Sequence, residues 1–193
     1  MAEPLPEWFL APEGGWKAED LDRLPPGTPR LELIDGALIV RSPQVVFHSA
    51  VMRRLANALE LTAPPELGVQ IEMSIVLGKR QRPEPDIVVY RKAVSEAEAH
   101  RRTFYLPEDV VLAVEIVSDE SYERDHETKP IKYAKAGIPH FWLVEDDGAG
   151  QPVVYVYELD STTASYVPTG IMRDRLKVAV PYRMEFDLAS LVR

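Results

Sequence analysis

Residues 110–117, VVLAVEIV, form an almost unbroken apolar run with a single carboxylate, Glu115, inside it. A short run so rich in valine reads as a strand buried on both faces, hence one from the middle of a sheet that is covered on both sides. An ionised carboxylate there is costly unless something compensates it. The partner is either a cationic side chain or a metal ion, and hard cations such as Mg²⁺ favour carboxylate oxygen. A second acid stands in a comparable place: Asp86 opens the run DIVVY directly after Pro85.

The surrounding pattern supplies the rest of an α/β (α+β) domain. Residues 1–30 hold six prolines and read as an irregular arm with one short helix near residues 17–24, leaving residues 31–193 as a single domain. LELIDGALIV (31–40) reads as a hairpin turning at Asp35-Gly36. Val51, Leu55, Ala58 and Leu59 share one helical face, in a helix expected from Ser49 to the Pro64-Pro65 stop. Residues 69–77 read as one strand, 86–90 as another, VSEAEAHRR (94–102) as a helix and IKYAKAG as a short helix with Pro130 in its first turn and Gly137 at its end. Residues 140–145, 152–159, 164–167 and 176–180 read as further strands, and Tyr133, Phe141 and Trp142 as core.

Downstream of Glu115 comes DHETKPIKYAKAGIPHFWLVE, and at this point the chain resembles a known family. LELIDGALIV, SPQVVFHS, RPEPDIVVY, LAVEIVSDES and that last segment follow the order of the Uma-two family, a restriction-endonuclease branch of the PD-(D/E)XK nuclease superfamily, over roughly residues 31–145. The resemblance implies a central mixed β-sheet flanked by helices, with additional strands toward the C-terminus. It implies a cation, Mg²⁺ or Mn²⁺, held by Asp86, Glu115 and the backbone carbonyl of Ile116. It also implies DNA as substrate and is compatible with a homodimer, since many nucleases of this type cut both strands as pairs. The superfamily pattern has lysine two residues after the glutamate, where this chain has Val117. The resembling family moves the lysine to the following helix, which makes Lys129 the first candidate and Lys132 the second. Such a lysine positions or helps deprotonate the attacking water and stabilises the phosphorane. By the same resemblance Glu32 completes the acidic set and His48, expected just ahead of the helix, orients a phosphate or a water. Glu84 lies between Pro83 and Pro85 in a loop and is a weak candidate, and Asp125 reads as a helix-start residue or as one that supports the site from behind its ligands.

Charge and composition narrow the partners. The net charge of −9 argues against a protein that coats nucleic acid by bulk electrostatics, so phosphate contacts must come from local basic loops. Lys79, Arg80 and Arg82, on the way to Asp86, are the expected contacts. The acids at 119, 120, 123, 125 and 127 work against DNA unless a cation offsets them. With no cysteine, thiolate chemistry and disulfides are excluded. The N-terminus lacks the basic start and apolar run of an export signal, so the expected location is cytoplasmic, with no membrane partner. Two further readings stay open: a non-catalytic binding or regulatory module on a nuclease fold, and a hydrolase of nucleotides or other phosphoesters.

Overall fold

The computed structural model describes Pro6, residues 9–92 and residues 101–193. Most of the helix expected over VSEAEAHRR falls at residues 94–100, outside the described residues. Strands β1 (Leu31–Ile34) and β2 (Ala37–Val40) pair antiparallel as a hairpin. Asp35 and Gly36 carry positive φ, 53° and 81°, the left-handed pair that a two-residue hairpin loop demands. The hairpin is a two-stranded sheet of its own. Ahead of it, Ala18–Arg23 is a 3-10 helix, and Trp16 and Ala18 pack on Leu33.

Helix α1 (Val46–Thr62) begins earlier than the sequence suggests. The Ser49 N–H already bonds the Val45 carbonyl at 3.1 Å, so His48 sits in the first turn rather than before it. Val51, Leu55 and Leu59 are fully buried along its inner face, each burial contributing about 1.5–3 kcal/mol.

The strand expected over residues 69–77 is broken. β3 (Leu67–Ile71) ends at Glu72, whose φ of 53° interrupts the pleat, and β4 (Ser74–Ile75) continues in a separate two-stranded sheet with β6 (Phe104–Tyr105). The main sheet adds β5 (Ile87–Arg91), β7 (Val110–Ile116), β8 (His140–Asp146), β9 (Pro152–Asp160) and β10 (Ser165–Met172). Its order is β10-β9-β8-β7-β5-β3. The β7–β8 pair is parallel and its other pairs are antiparallel, so the sheet is mixed as expected. Helix α2 (Lys129–Lys135) makes the β7-to-β8 crossover, entered through a π-helical turn at Arg124–Thr128 and closed by Gly137 at φ 84°. A final hairpin, β11 (Arg175–Val178) and β12 (Met184–Asp187), closes over α1.

Every residue of β7 is buried, because the strand is covered on both faces. Leu112, Val114 and Ile116 face α1 with Ile87, Val89 and Trp142. Ala113 points the other way, toward Tyr133 of α2, Ile138 and Phe141. Alternation puts Glu115 on this second face, beneath α2. No helix among the described residues is long and apolar enough to cross a membrane.

Candidate active site

Strand register brings the two acids together. Ile87 pairs with Val114 in the β5–β7 ladder, so Asp86 and Glu115 come next to each other where both strands meet the first turns of α1 and α2. Asp86 is 1% exposed. Its Oδ2 accepts the Ile116 N–H at 2.7 Å and lies 3.1 Å from His48 Nε2, and its Oδ1 accepts Arg41 Nη2 at 2.6 Å. An ionised Oδ2 accepts, so Nε2 carries the His48 proton. His48 Nδ1 is buried with no hydrogen-bond partner among the described residues.

Glu115 is equally buried. Oε2 accepts Lys129 Nζ at 2.9 Å, and Oε1 accepts the Tyr133 hydroxyl at 2.7 Å. Lys129 Nζ also lies 3.0 Å from Glu32 Oε1 and 3.1 Å from Asp125 Oδ1, so one ammonium serves three carboxylates. Glu32 Oε1 accepts the Glu84 N–H as well, at 2.9 Å. Asp125 and Lys129, four residues apart across the π-helical turn, both face inward, whereas their exposed neighbours Glu123 and Glu127 face solvent.

Burial pushes Asp86 up, but the His48 hydrogen bond and the Arg41 charge outweigh it and hold the carboxyl at about 2. Glu115 goes the other way: burial drives it well above the usual carboxylate range despite Lys129, with Asp125 and Asp86 adding repulsion. Burial works to lower Lys129, yet Glu115, Glu32 and Asp125 together raise it well above an ordinary lysine. An ammonium so held does not accept a proton near neutral pH; it donates hydrogen bonds and carries charge.

These groups line a cleft of about 350 Å³ between the β2–α1 loop and the residues after β7, with Ser42, Gln44 and Ser118 among its walls. Four buried carboxylates face Lys129 and Arg41, which leaves a formal excess of two negative charges when all are ionised and His48 is neutral. That excess and the all-oxygen donor set suit one hard divalent cation in kind and in charge. Among the described residues no three His, Asp or Glu side chains stand as ligands around a common point. Arg41 occupies one of the oxygens such an ion would use.

A family model described as "Putative restriction endonuclease", Uma2, matches residues 18–189. The chain belongs to this family. A crystal structure of "a putative nuclease belonging to DUF820" from Anabaena variabilis superposes with a TM-score of 0.71 at 19% identity, covering 92% of this chain and 97% of that one. The likeness establishes a shared fold for the Uma2 chain. No curated protein matches it.

In this Uma2 chain the structure gathers Asp86, Glu115, Ile116, Glu32, His48 and Lys129 in one place. It leaves Lys132 outside, bonded to Asp35 at 2.8 Å. Of the expected basic loop, one residue turns inward. Arg82 is 4% exposed, and its guanidinium bonds the Ala18 carbonyl, Asp22 and the Thr103 carbonyl, which makes it an internal strut. Lys79 and Arg80 are exposed, but neither lines the cleft. Arg80 lies against Gly36 instead. Sequence reasoning missed Arg41 and the Tyr133 hydroxyl; both contacts join segments far apart in the chain, and no local pattern marks them.

The low position of Asp86 gives a pH expectation. A carboxyl at 3.8 when unfolded and about 2 when folded stabilises above 3.8, and that share fades as pH falls toward 2. The share is about 2 kcal/mol at neutral pH, with about half gone by pH 3. Urea melts from pH 6 to pH 3 are expected to show the wild type losing about 1 kcal/mol more than Asp86→Asn. Parallel losses would count against an ionised, paired Asp86.

Proposed function

We propose that the chain is a divalent-cation-dependent nuclease that hydrolyses phosphodiester bonds, with DNA as substrate. The observation that carries this reading is the cluster itself: Asp86, Glu115 and Glu32, all buried, gathered with Lys129 at the floor of an open cleft. Family membership and the shared fold support it. Asp86, Glu115 and the Ile116 carbonyl would hold Mg²⁺ or Mn²⁺. When bound, that cation lowers the pKa of a water and neutralises charge on the scissile phosphate. Lys129, fixed by three carboxylates, orients the attacking water and offsets charge on the phosphorane. His48 is held by Asp86 through Nε2, which turns Nδ1 to serve as an acceptor in the site. Arg124, which lines the cleft, pairs with Glu120 at 2.7 Å and so reduces the acidic character of the rim that DNA must approach.

A second reading, a non-catalytic binding module, is favoured by the saturation of the carboxylates: each has a cationic or hydrogen-bonding partner within the chain. One assay separates the two. Supercoiled plasmid, linear duplex, single-stranded DNA and RNA are incubated with protein and Mg²⁺ or Mn²⁺. Nicking or degradation of DNA that stops on chelation and exceeds that of RNA is the expected result. Intact DNA under every condition would leave the binding module standing; faster loss of RNA would move the substrate assignment.

A further inference from the structure

Arg41 belongs to an alternating chain of charge that runs from the surface into the cluster. Glu72 pairs with Arg30, Arg30 with Glu84, Glu84 with Arg41 and Arg41 with Asp86. The left-handed turn at Glu72 and the Pro83–Pro85 loop bring these side chains into line. At the inner end, Asp86 Oδ2 is taken up by Ile116 and His48, and Oδ1 by Arg41 at 2.6 Å. Arg41 Nη1 meanwhile donates to the Glu84 carbonyl at 2.6 Å. The arginine side chain is 15% exposed and lines the cleft. It is thus the one member of the cluster both tethered from outside and open to the space a substrate would enter.

We infer that Arg41 is an internal counter-ion that competes with the divalent cation for Asp86 and is drawn off by the substrate's phosphate. The inference rests on the nuclease reading above. A cation on Oδ1 is repelled by a guanidinium at hydrogen-bonding distance from the same oxygen, and in a buried site that repulsion is strong. A phosphodiester offers the planar guanidinium two anionic oxygens in the geometry it prefers. Arg41 therefore leaves Asp86 for the phosphate, and the vacated oxygen becomes a cation ligand. Cation and phosphodiester bind with positive coupling, which by linkage is reciprocal. In this scheme Arg41 touches the substrate's phosphate directly and acts on the cation through Asp86.

The test is Mn²⁺ binding by calorimetry on the full chain, with and without dimethyl phosphate as the phosphodiester probe. The wild type is expected to bind Mn²⁺ weakly, and more tightly with the probe. Arg41→Gln is expected to bind Mn²⁺ about tenfold or more tighter without the probe and to gain nothing from it. Arg41→Lys, which keeps the charge, is expected to stay weak. Arg30→Gln, which leaves the Arg41–Asp86 pair in place, is expected to match the wild type. Equal Mn²⁺ affinity in wild type and Arg41→Gln, or weaker binding in the variant, overturns the counter-ion role while leaving the cation site intact. Absence of binding in all four proteins overturns this role and the nuclease reading together. Should Arg41→Gln fail to fold, a wild type whose Mn²⁺ affinity ignores dimethyl phosphate overturns the proposal alone.

Discussion

Lys129→Met is expected to destabilise the protein by about 3–5 kcal/mol, the cost of breaking a buried ion pair from one side. The reason is specific to this cluster. Lys129 Nζ lies within 3.1 Å of Glu115, Glu32 and Asp125, all of them buried, and among the described residues no other cation is paired with these three. Without the ammonium, three carboxylates face one another in a medium that solvates them poorly, and protons must come in to relieve them. Urea denaturation at pH 7 measures the loss, and the double variant Lys129→Met/Glu115→Gln should recover part of it, because one of the stranded charges is then gone. Cleavage is expected to vanish in both. A single variant within 1 kcal/mol of wild type would mean that the carboxylates are already protonated or wet.

Asp86→Asn is expected to keep the fold and remove the chemistry. Asparagine is nearly isosteric and can still accept the Ile116 N–H, so packing at the end of β5 survives. What it lacks is the negative charge that a divalent cation needs. Mn²⁺ affinity should fall by at least about 100-fold, more than the loss typical of a group behind the ligands. DNA cleavage should fall to background over the same titration. Retained Mn²⁺ binding together with retained cleavage would move the cation elsewhere in the chain. Retained binding without cleavage would instead make Asp86 a group that orients water or His48.

Much of this arrangement was legible in the chain because two local signals were strong. An acid inside VVLAVEIV requires compensation by a cation or metal, and that requirement alone marks Glu115 in the chain. The Asp35-Gly36 turn fixed the hairpin, and with it the level of Glu32. Lys129, Glu32 and His48 came from resemblance to the Uma2 pattern rather than from the residues themselves. Other features were illegible for physical reasons. Arg41 and Asp86 are 45 positions apart and meet only because the hairpin docks beside β5. Arg82 looked like a loop cation facing solvent, but the 3-10 helix at Ala18–Arg23 folds over it and supplies Asp22. The break at Glu72 uses a left-handed non-glycine residue, which no propensity anticipates.

The β1–β2 hairpin, finally, is docked onto the domain without joining its six-stranded sheet. Its backbone ties to the Asp86 side of the molecule are the exchange between Leu33 and Arg82 and the bond from Gly36 to Arg80. Yet Glu32 lies on this hairpin and Arg41 follows it directly. Detaching the element that supplies a carboxylate and the counter-ion gives up those hydrogen bonds together with the ion pairs of Glu32 and Arg41, and exposes Leu31, Leu33 and Ile34, while the pairing of the central strands is untouched. In the language of native-state exchange, a sub-global opening of this hairpin would take the cluster apart with it. Substitutions that loosen the hairpin would then disarm the cluster in a protein whose global melting hardly changes.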